Sequence, residues 1–379
     1  MAEHPRPRNP FRPTFGVSPQ VLAGRDRLLE DFELALAEGP GSPYRAILVS
    51  GSRGIGKTVL LNELEDVARG RGWVIARAHV GESLVDDLVR TTLPALIADI
   101  ADEPPRRAVT GASITGLGSI TVSAPADDRP APTLIGRLRE VSELLRARGT
   151  GLLITVDEVQ SADPAAMKTL AIAYQDLIRD DFDVAFAAAG LPRGIDELLQ
   201  LEGTTFLRRA ERLELGPVDR DAAIDALART SADGGIPMDG DAAAAAADIS
   251  RGYPYLIQLV GSLAWARASL DDGTAITRSD VAAIRDRAIE RMGAQVHRPS
   301  LREVPDGERI VLEAMADIMA ETGEDSAATG EIAERLGLTP QGLSPRRARL
   351  IERELVRAPQ FGRLEFALPY FAEYLLSLR

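Results

Sequence analysis

Short apolar runs alternate with amphipathic stretches over the first 217 positions of this 379-residue chain. Residues 46–50 (AILVS), 73–78, 152–156 (LLITV), 184–189 (VAFAAA) and 212–215 (RLEL) read as strands, each short and bounded by polar residues or glycine. Between them apolar residues recur at three- and four-residue spacing. Leu28, Leu29, Phe32 and Leu36 predict a helix opened by Gly24-Arg25-Asp26, and Leu60, Leu61, Leu64 and Val67 predict another over 58–69. Further helices are expected over 84–100, 133–148 and 165–178. Strands separated by helices predict an α/β fold: a parallel sheet with helices on both faces.

After Pro217 the strand signals stop. Helices are predicted over 219–229, 241–250, 254–269 and 278–292, the last capped by Thr277. The polar stretch 295–305, with two prolines, predicts a linker. Beyond it, helices over 308–319, 330–336 (capped by Thr329) and 344–356 precede short strands at 357–362 and 364–368 around Gly362, the order of a winged helix. The proline-rich start predicts an extended arm, and SITGLGSITVS within 106–130 predicts an inserted β-hairpin. The expected organisation is thus an arm (1–14), an α/β core (15–217) with its insertion (106–130), a helical segment (218–294), a linker (295–305) and a winged-helix domain (306–379).

Composition narrows the chemistry. With no cysteine there is no disulfide scaffold, thiolate metal site or thiol nucleophile. His4, His79 and His297 lie far apart, without ligand spacing. A net charge of −13 argues against a surface that attracts nucleic acid as a whole, yet leaves room for a local basic face. No apolar run approaches the roughly 20 residues of a membrane span, and no apolar signal-peptide core is evident near the N-terminus. The expectation is a cytoplasmic protein without membrane contact. Of 44 basic residues only Lys57 and Lys168 are lysine.

Lys57 closes the most informative string, Gly51-Ser52-Arg53-Gly54-Ile55-Gly56-Lys57-Thr58, which matches G-x-x-x-x-G-K-[ST] between a predicted strand and a predicted helix. Glycines let such a loop turn its amides inward, so that they and the helix N-terminus bind phosphate oxygens. Lysine supplies the compact ammonium that reaches the β- and γ-phosphates, and the Thr58 hydroxyl is a magnesium ligand. The 152–156 strand ends in Asp157-Glu158, at the strand end where open parallel sheets gather ligands. There Asp157 would hold Mg2+, and Glu158 would orient and polarise the attacking water. The expected substrate is ATP and the expected activity its hydrolysis.

These motifs, with the helical segment and small terminal domain, resemble the P-loop AAA+ ATPases, in the branch of origin-recognition initiators and STAND regulatory NTPases. The resemblance runs over about residues 10–375. It implies that Gly24-Arg25-Asp26 closes over the nucleotide, that 15–21 contributes adenine contacts, and that Gly252-Tyr253-Pro254 packs a helical lid on the nucleotide, with Pro254 in the binding set. It implies an arginine finger at Arg208 or Arg209 that reaches a neighbouring subunit, hence self-association. Two features depart from the family: 187–190 (AAAG) ends its strand without a polar sensor, and no lid arginine is evident beside Tyr253. Both argue for slow turnover.

The third helix of the winged domain and its end carry Arg346, Arg347, Arg349, Arg353 and Arg357 against Glu352 and Glu354. Arg346, Arg347, Arg349 and Arg353 are the candidate contacts to double-stranded DNA. Three functions stay open: a nucleotide-dependent switch that engages DNA, a signalling switch whose winged helix binds protein, and a nucleotide-binding scaffold without turnover.

Overall fold

A computed structural model describes residues 8–14, 17–81, 83–101, 131–270 and 273–379. The hairpin expected in 106–130 lies outside the described residues, as do the first seven residues of the arm and part of 15–21. The chain divides into two compact units, one formed by 1–27, 51–59 and 214–379, the other by 28–50 and 60–213.

In chain order the elements are α1 (Asp26–Glu38), β1 (Ala46–Gly51), α2 (Lys57–Gly70), β2 (Val74–Ala78), α3 (Leu84–Asp87), α4 (Leu93–Ala101), α5 (Leu134–Ala147), β3 (Leu152–Val156), α6 (Pro164–Arg179), β4 (Val184–Gly190), α7 (Pro192–Gln200) and β5 (Glu211–Leu215). Helices follow: α8 (Arg220–Asp233), α9 (Gly240–Ser250), α10 (Pro254–Leu270), α11 (Arg278–Met292), α12 (Arg298–Arg302) and α13 (Asp306–Thr322). The chain ends with β6 (Ala327–Ala328), α14 (Thr329–Arg335), α15 (Pro340–Glu352), β7 (Val356–Arg357), β8 (Arg363–Phe366) and α16 (Phe371–Ser377).

The α/β unit is built on a five-stranded parallel sheet of order β2-β3-β4-β1-β5. Ala78, Val156, Ala188 and Leu48 form one row across it. The carboxyl ends of β1 and β3 therefore open along one sheet edge, with β4 between them. Every residue of β3 and β4 is buried, as central strands covered on both faces require. Helices α5 and α6 bury Leu138, Val141, Leu170 and Tyr174 in the core that also holds Ile154 and Phe186.

One predicted helix is modified. The 84–100 stretch is helical but widens into a π-turn at 88–92 before α4. Pro94 explains it: its ring displaces the carbonyl four residues back and it has no N–H to donate, so the turn relaxes to the wider spacing.

In the other unit α10 buries Leu256, Ile257, Leu259, Val260, Leu263 and Trp265. An apolar residue on nearly every side marks a helix enclosed by others. The alanine run of α9 buries Ala242, Ala243, Ala246 and Ala247. Thr277 caps α11 as expected, in a reciprocal capping box with Asp280.

The described part of the arm is strapped down rather than free. Asn9 donates to the Ser262 carbonyl at 3.0 Å, the Arg12 N–H donates to Gln258 Oε1 at 3.0 Å, and Phe11 is buried. Gly261 makes this fit: a Cβ there would lie 2.3 Å from the Phe11 ring.

The linker expected at 295–305 is instead largely helical. Residues 293–297 form a π-turn that continues α11, and α12 follows directly. His297, in the middle of it, is 0% exposed and packs on the rings of Phe371 and Tyr374 at 5.0 and 5.3 Å. A stretch that reads as polar is anchored by one buried imidazole and by Gly293, where a Cβ would meet Tyr374 at 2.8 Å.

The terminal domain differs from expectation in detail. Its third helix is Pro340–Glu352, four residues earlier than read, because Thr339 caps it by accepting from Gly342 N–H at 3.1 Å and Pro340 suits the first turn. Thr329 is the first residue of α14 rather than its cap, and its hydroxyl donates to the Gly362 carbonyl at 3.1 Å. Three short strands form an antiparallel sheet of order β6-β8-β7, and β7 (Val356–Arg357) overlaps the strand expected at 357–362 only at Arg357.

Candidate functional site

The phosphate-loop string adopts the bend its glycines predict. Gly54 and Gly56 have φ of 73° and 96°, a region that disfavours any side chain. Lys57 begins α2 and is only 5% exposed. Its Nζ donates to the carbonyls of Gly51 and Ser52 at 2.8 and 3.0 Å, so the loop folds around its own ammonium. A buried ammonium ringed by loop backbone is a donor set that fits phosphate oxygens.

The Gly252-Tyr253-Pro254 element lies against this loop. Tyr253 is buried, and its hydroxyl donates to the Arg53 carbonyl at 2.8 Å. A Cβ on Gly54 would sit 2.0 Å from that hydroxyl, and one on Gly56 would sit 4.0 Å from the Pro254 ring. Burial pushes the Tyr253 phenol well above its usual range and keeps it a donor. Gly252 has φ 69°, and a Cβ there would strike the Val218 carbonyl at 2.3 Å. The hydroxyl of Tyr253 was the feature missed in the sequence: only the glycine and proline around it carried a signal.

The same loop reaches in a second direction. Arg251, at φ 48°, stacks its guanidinium 4.0 Å over the Tyr370 ring and pairs with Glu373 at 3.1 Å. Tyr370 donates its hydroxyl to the Ile249 carbonyl at 2.7 Å. Gly24 and Arg25 lie beside the start of α8. A Cβ on Gly24 would be 3.4 Å from Ala222, and Arg25 donates to the Gly216 carbonyl at 3.5 Å. Burial lowers the Arg25 guanidinium from its ordinary value.

In the α/β unit, Asp157 and Glu158 leave the carboxyl end of β3. Glu158 adopts left-handed backbone (φ 54°, ψ 46°), and its N–H donates to Asp157 Oδ1 at 2.8 Å. The Gln160 amide donates to the Glu158 carboxylate and accepts from Leu191 N–H at 2.9 Å. Behind the strand, the Glu65 carboxylate of α2 is 2% exposed and accepts from Thr155 at 2.8 Å and from Arg77 and Arg69. Burial opposes its ionisation, but the hydrogen bonds from Arg77 and Thr155 hold its carboxyl below the usual range. Glu65 thereby ties α2 to the strand that carries Asp157. A lone glutamate at a helical position carried no sign of this in sequence.

Arg208 and Arg209 are both exposed, and Arg208 donates to the Leu199 carbonyl at 3.3 Å. On α15, Arg346 and Arg347 are half-buried, and Arg353, just past its end, is exposed. Arg349 pairs with the buried Glu308 of α13, and Arg357 pairs with Glu365 of β8. Phe361, between β7 and β8, is fully exposed. Among the described residues no cluster of three or more His, Asp or Glu side chains suits a metal ion, and no helix is long and apolar enough to cross a membrane.

Residues 21–182 match the AAA ATPase domain family, and residues 294–375 match a domain of unknown function (DUF8462). No curated protein matches the chain. Among solved structures, the ORC2 protein of Aeropyrum pernix, determined as ADPNP–ADP complexes, is 16% identical, with 97% of this chain and 96% of that chain covered and a TM-score of 0.64. A Walker-type ATPase of Pyrococcus abyssi is 15% identical, with 94% and 96% covered and a TM-score of 0.62. Residues 21–182 thus carry a match to the AAA ATPase domain family, and over nearly the whole chain the fold is similar to those of the Aeropyrum ORC2 protein and the Pyrococcus ATPase.

Proposed function

We propose that this protein is a slowly hydrolysing, ATP-dependent switch whose nucleotide state sets the position of its winged-helix domain, 306–379, on DNA. The observation that carries the reading is the Arg251–Pro254 loop. One side of it, through Tyr253, touches the phosphate loop. The other, through Arg251, holds Tyr370 and Glu373 of the terminal domain. A change at the phosphate loop that moves Tyr253 has a four-residue path to the terminal domain.

In this reading the amides of Gly51, Ser52, Arg53, Gly54, Ile55 and Gly56 cradle the phosphates, and Lys57 turns from its own carbonyls to the β- and γ-oxygens. Thr58 and Asp157 would hold Mg2+, which neutralises charge on the phosphates when bound. Glu158 orients the attacking water. Pro254 and the Gly24-Arg25 turn close the nucleotide pocket, and Arg208 or Arg209 serves as a finger to a second copy. Turnover is slow because β4 ends in alanine and glycine. Lys57→Ala is expected to abolish ATP binding, measured by calorimetry, and an unchanged affinity would overturn the assignment.

For the DNA half, Arg346, Arg347 and Arg353 are the phosphate and base contacts. Salt-dependent binding to duplex DNA, lost in Arg346→Ala plus Arg347→Ala, tests it. A second reading, a winged helix that binds a protein partner, is favoured by one observation: Arg349 and Arg357 are neutralised by Glu308 and Glu365. No duplex binding at low salt would decide for it.

A further inference from the structure

We propose that Gln160 is the positioning residue for Glu158, bridging its carboxylate to the backbone just past β4. The inference rests on the reading of Glu158 as the residue that orients the attacking water.

Glu158 sits in left-handed backbone, which disfavours a side-chain-bearing residue and persists where surrounding contacts enforce it. Those contacts are on both sides. The Glu158 N–H bonds Asp157, and its carbonyl accepts from Ser161 N–H at 2.8 Å. The carboxylate itself is held by the Gln160 side-chain amide.

The orientation of that amide is determined by its other end. Leu191 N–H, just past β4, is a donor, so the group facing it at 2.9 Å must be the Gln160 carbonyl oxygen. The NH2 is then turned to Glu158 and can only donate. One carboxylate oxygen is pinned and the other is left to accept a proton from water.

Two glycines make room for this bridge. A Cβ on Gly190 would lie 3.0 Å from Gln160 Oε1, and one on Gly194 would lie 2.7 Å from Gln160 Cβ. The alanine-glycine end of β4, with no polar side chain of its own, thus presents a backbone donor and a gap shaped for the glutamine.

The test uses the full chain with Mg-ATP. Gln160→Glu keeps an acceptor for Leu191 N–H but replaces the donor facing Glu158 by a like charge. Gln160→Ala removes both ends. Both variants are expected to lower kcat roughly 10- to 100-fold, the range that misplacement of a catalytic group produces. ATP affinity should stay within about twofold and the melting temperature of Gln160→Glu should match wild type, since the Leu191 contact survives. Wild-type kcat in Gln160→Glu, beside a Glu158→Gln variant that has lost turnover, overturns the proposal alone. Turnover in Glu158→Gln equal to wild type overturns the reading of Glu158 and this proposal with it.

Discussion

The Tyr253 hydroxyl donates to the Arg53 carbonyl at 2.8 Å, joining a loop before α10 to the phosphate loop 200 residues upstream. Gly54 is what allows it, since a Cβ there would overlap the tyrosine oxygen at 2.0 Å. Gly54→Ala is therefore expected to displace Tyr253 and to strain a position at φ 73°. Nucleotide affinity should fall at least tenfold by calorimetry. Tyr253→Phe keeps the ring and loses only the donor, so its effect should be about 1 kcal/mol, or roughly fivefold.

Arg251 and Tyr370 form the second contact of that loop. A double-mutant cycle of Arg251→Ala and Tyr370→Leu is expected to show a coupling energy of about 0.5–2 kcal/mol in urea unfolding. The salt bridge to Glu373 adds little, because both partners are about half exposed in solvent. Additive single effects would remove the latch from the account. Loss of ATP-dependent protease protection of 306–379 in Arg251→Ala would tie it to switching.

Phe11 anchors the arm in the groove above Gly261. Phe11→Ala is expected to destabilise the protein by about 3–5 kcal/mol, the range for a buried phenylalanine truncated to alanine. The measurement is the midpoint of denaturant unfolding. Gly261→Val should do comparable harm from the other side, by filling the space the ring occupies.

His297 makes stability fall with acid. Burial pushes its imidazole down to about 4, so the folded protein keeps it neutral while the unfolded chain protonates it near 6.5. Above pH 6.5 both states are neutral and the residue contributes no pH dependence. As pH drops from 6.5 to 4 the unfolded state takes up a proton the folded state refuses, and stability declines by up to about 3 kcal/mol. His297→Phe should flatten that part of the pH–stability curve. An unchanged slope would show that other groups produce it.

Much of the α/β sheet and the bend of the 51–58 loop could be read directly. A strand, a glycine-rich turn and a helix N-terminus that bind phosphate must be contiguous, so their chemistry is written as one string ending in Lys57-Thr58. The buried strands were equally plain, because 184–189 is apolar throughout and 152–156 is apolar at every position but Thr155, as a doubly covered sheet requires. Misreadings came where a residue's meaning lay elsewhere in the chain. The 295–305 stretch looked like a linker because one histidine among polar residues gives no periodic signal, yet its ring is enclosed by Phe371 and Tyr374. Arg349 looked like a free cation because its partner, the buried Glu308, belongs to another helix.

Local order alone was enough to predict most elements, the bend of the 51–58 loop and the place of Asp157-Glu158 at the end of β3, since each is encoded in one contiguous run of residues. Folding had to supply the rest: Tyr253 on Arg53, Arg251 on Tyr370, Phe11 over Gly261, and Gln160 between Glu158 and Leu191 N–H. Such contacts join residues from different elements. They depend on directional hydrogen bonds and on missing Cβ atoms, and neither leaves a periodic trace in the chain that forms them.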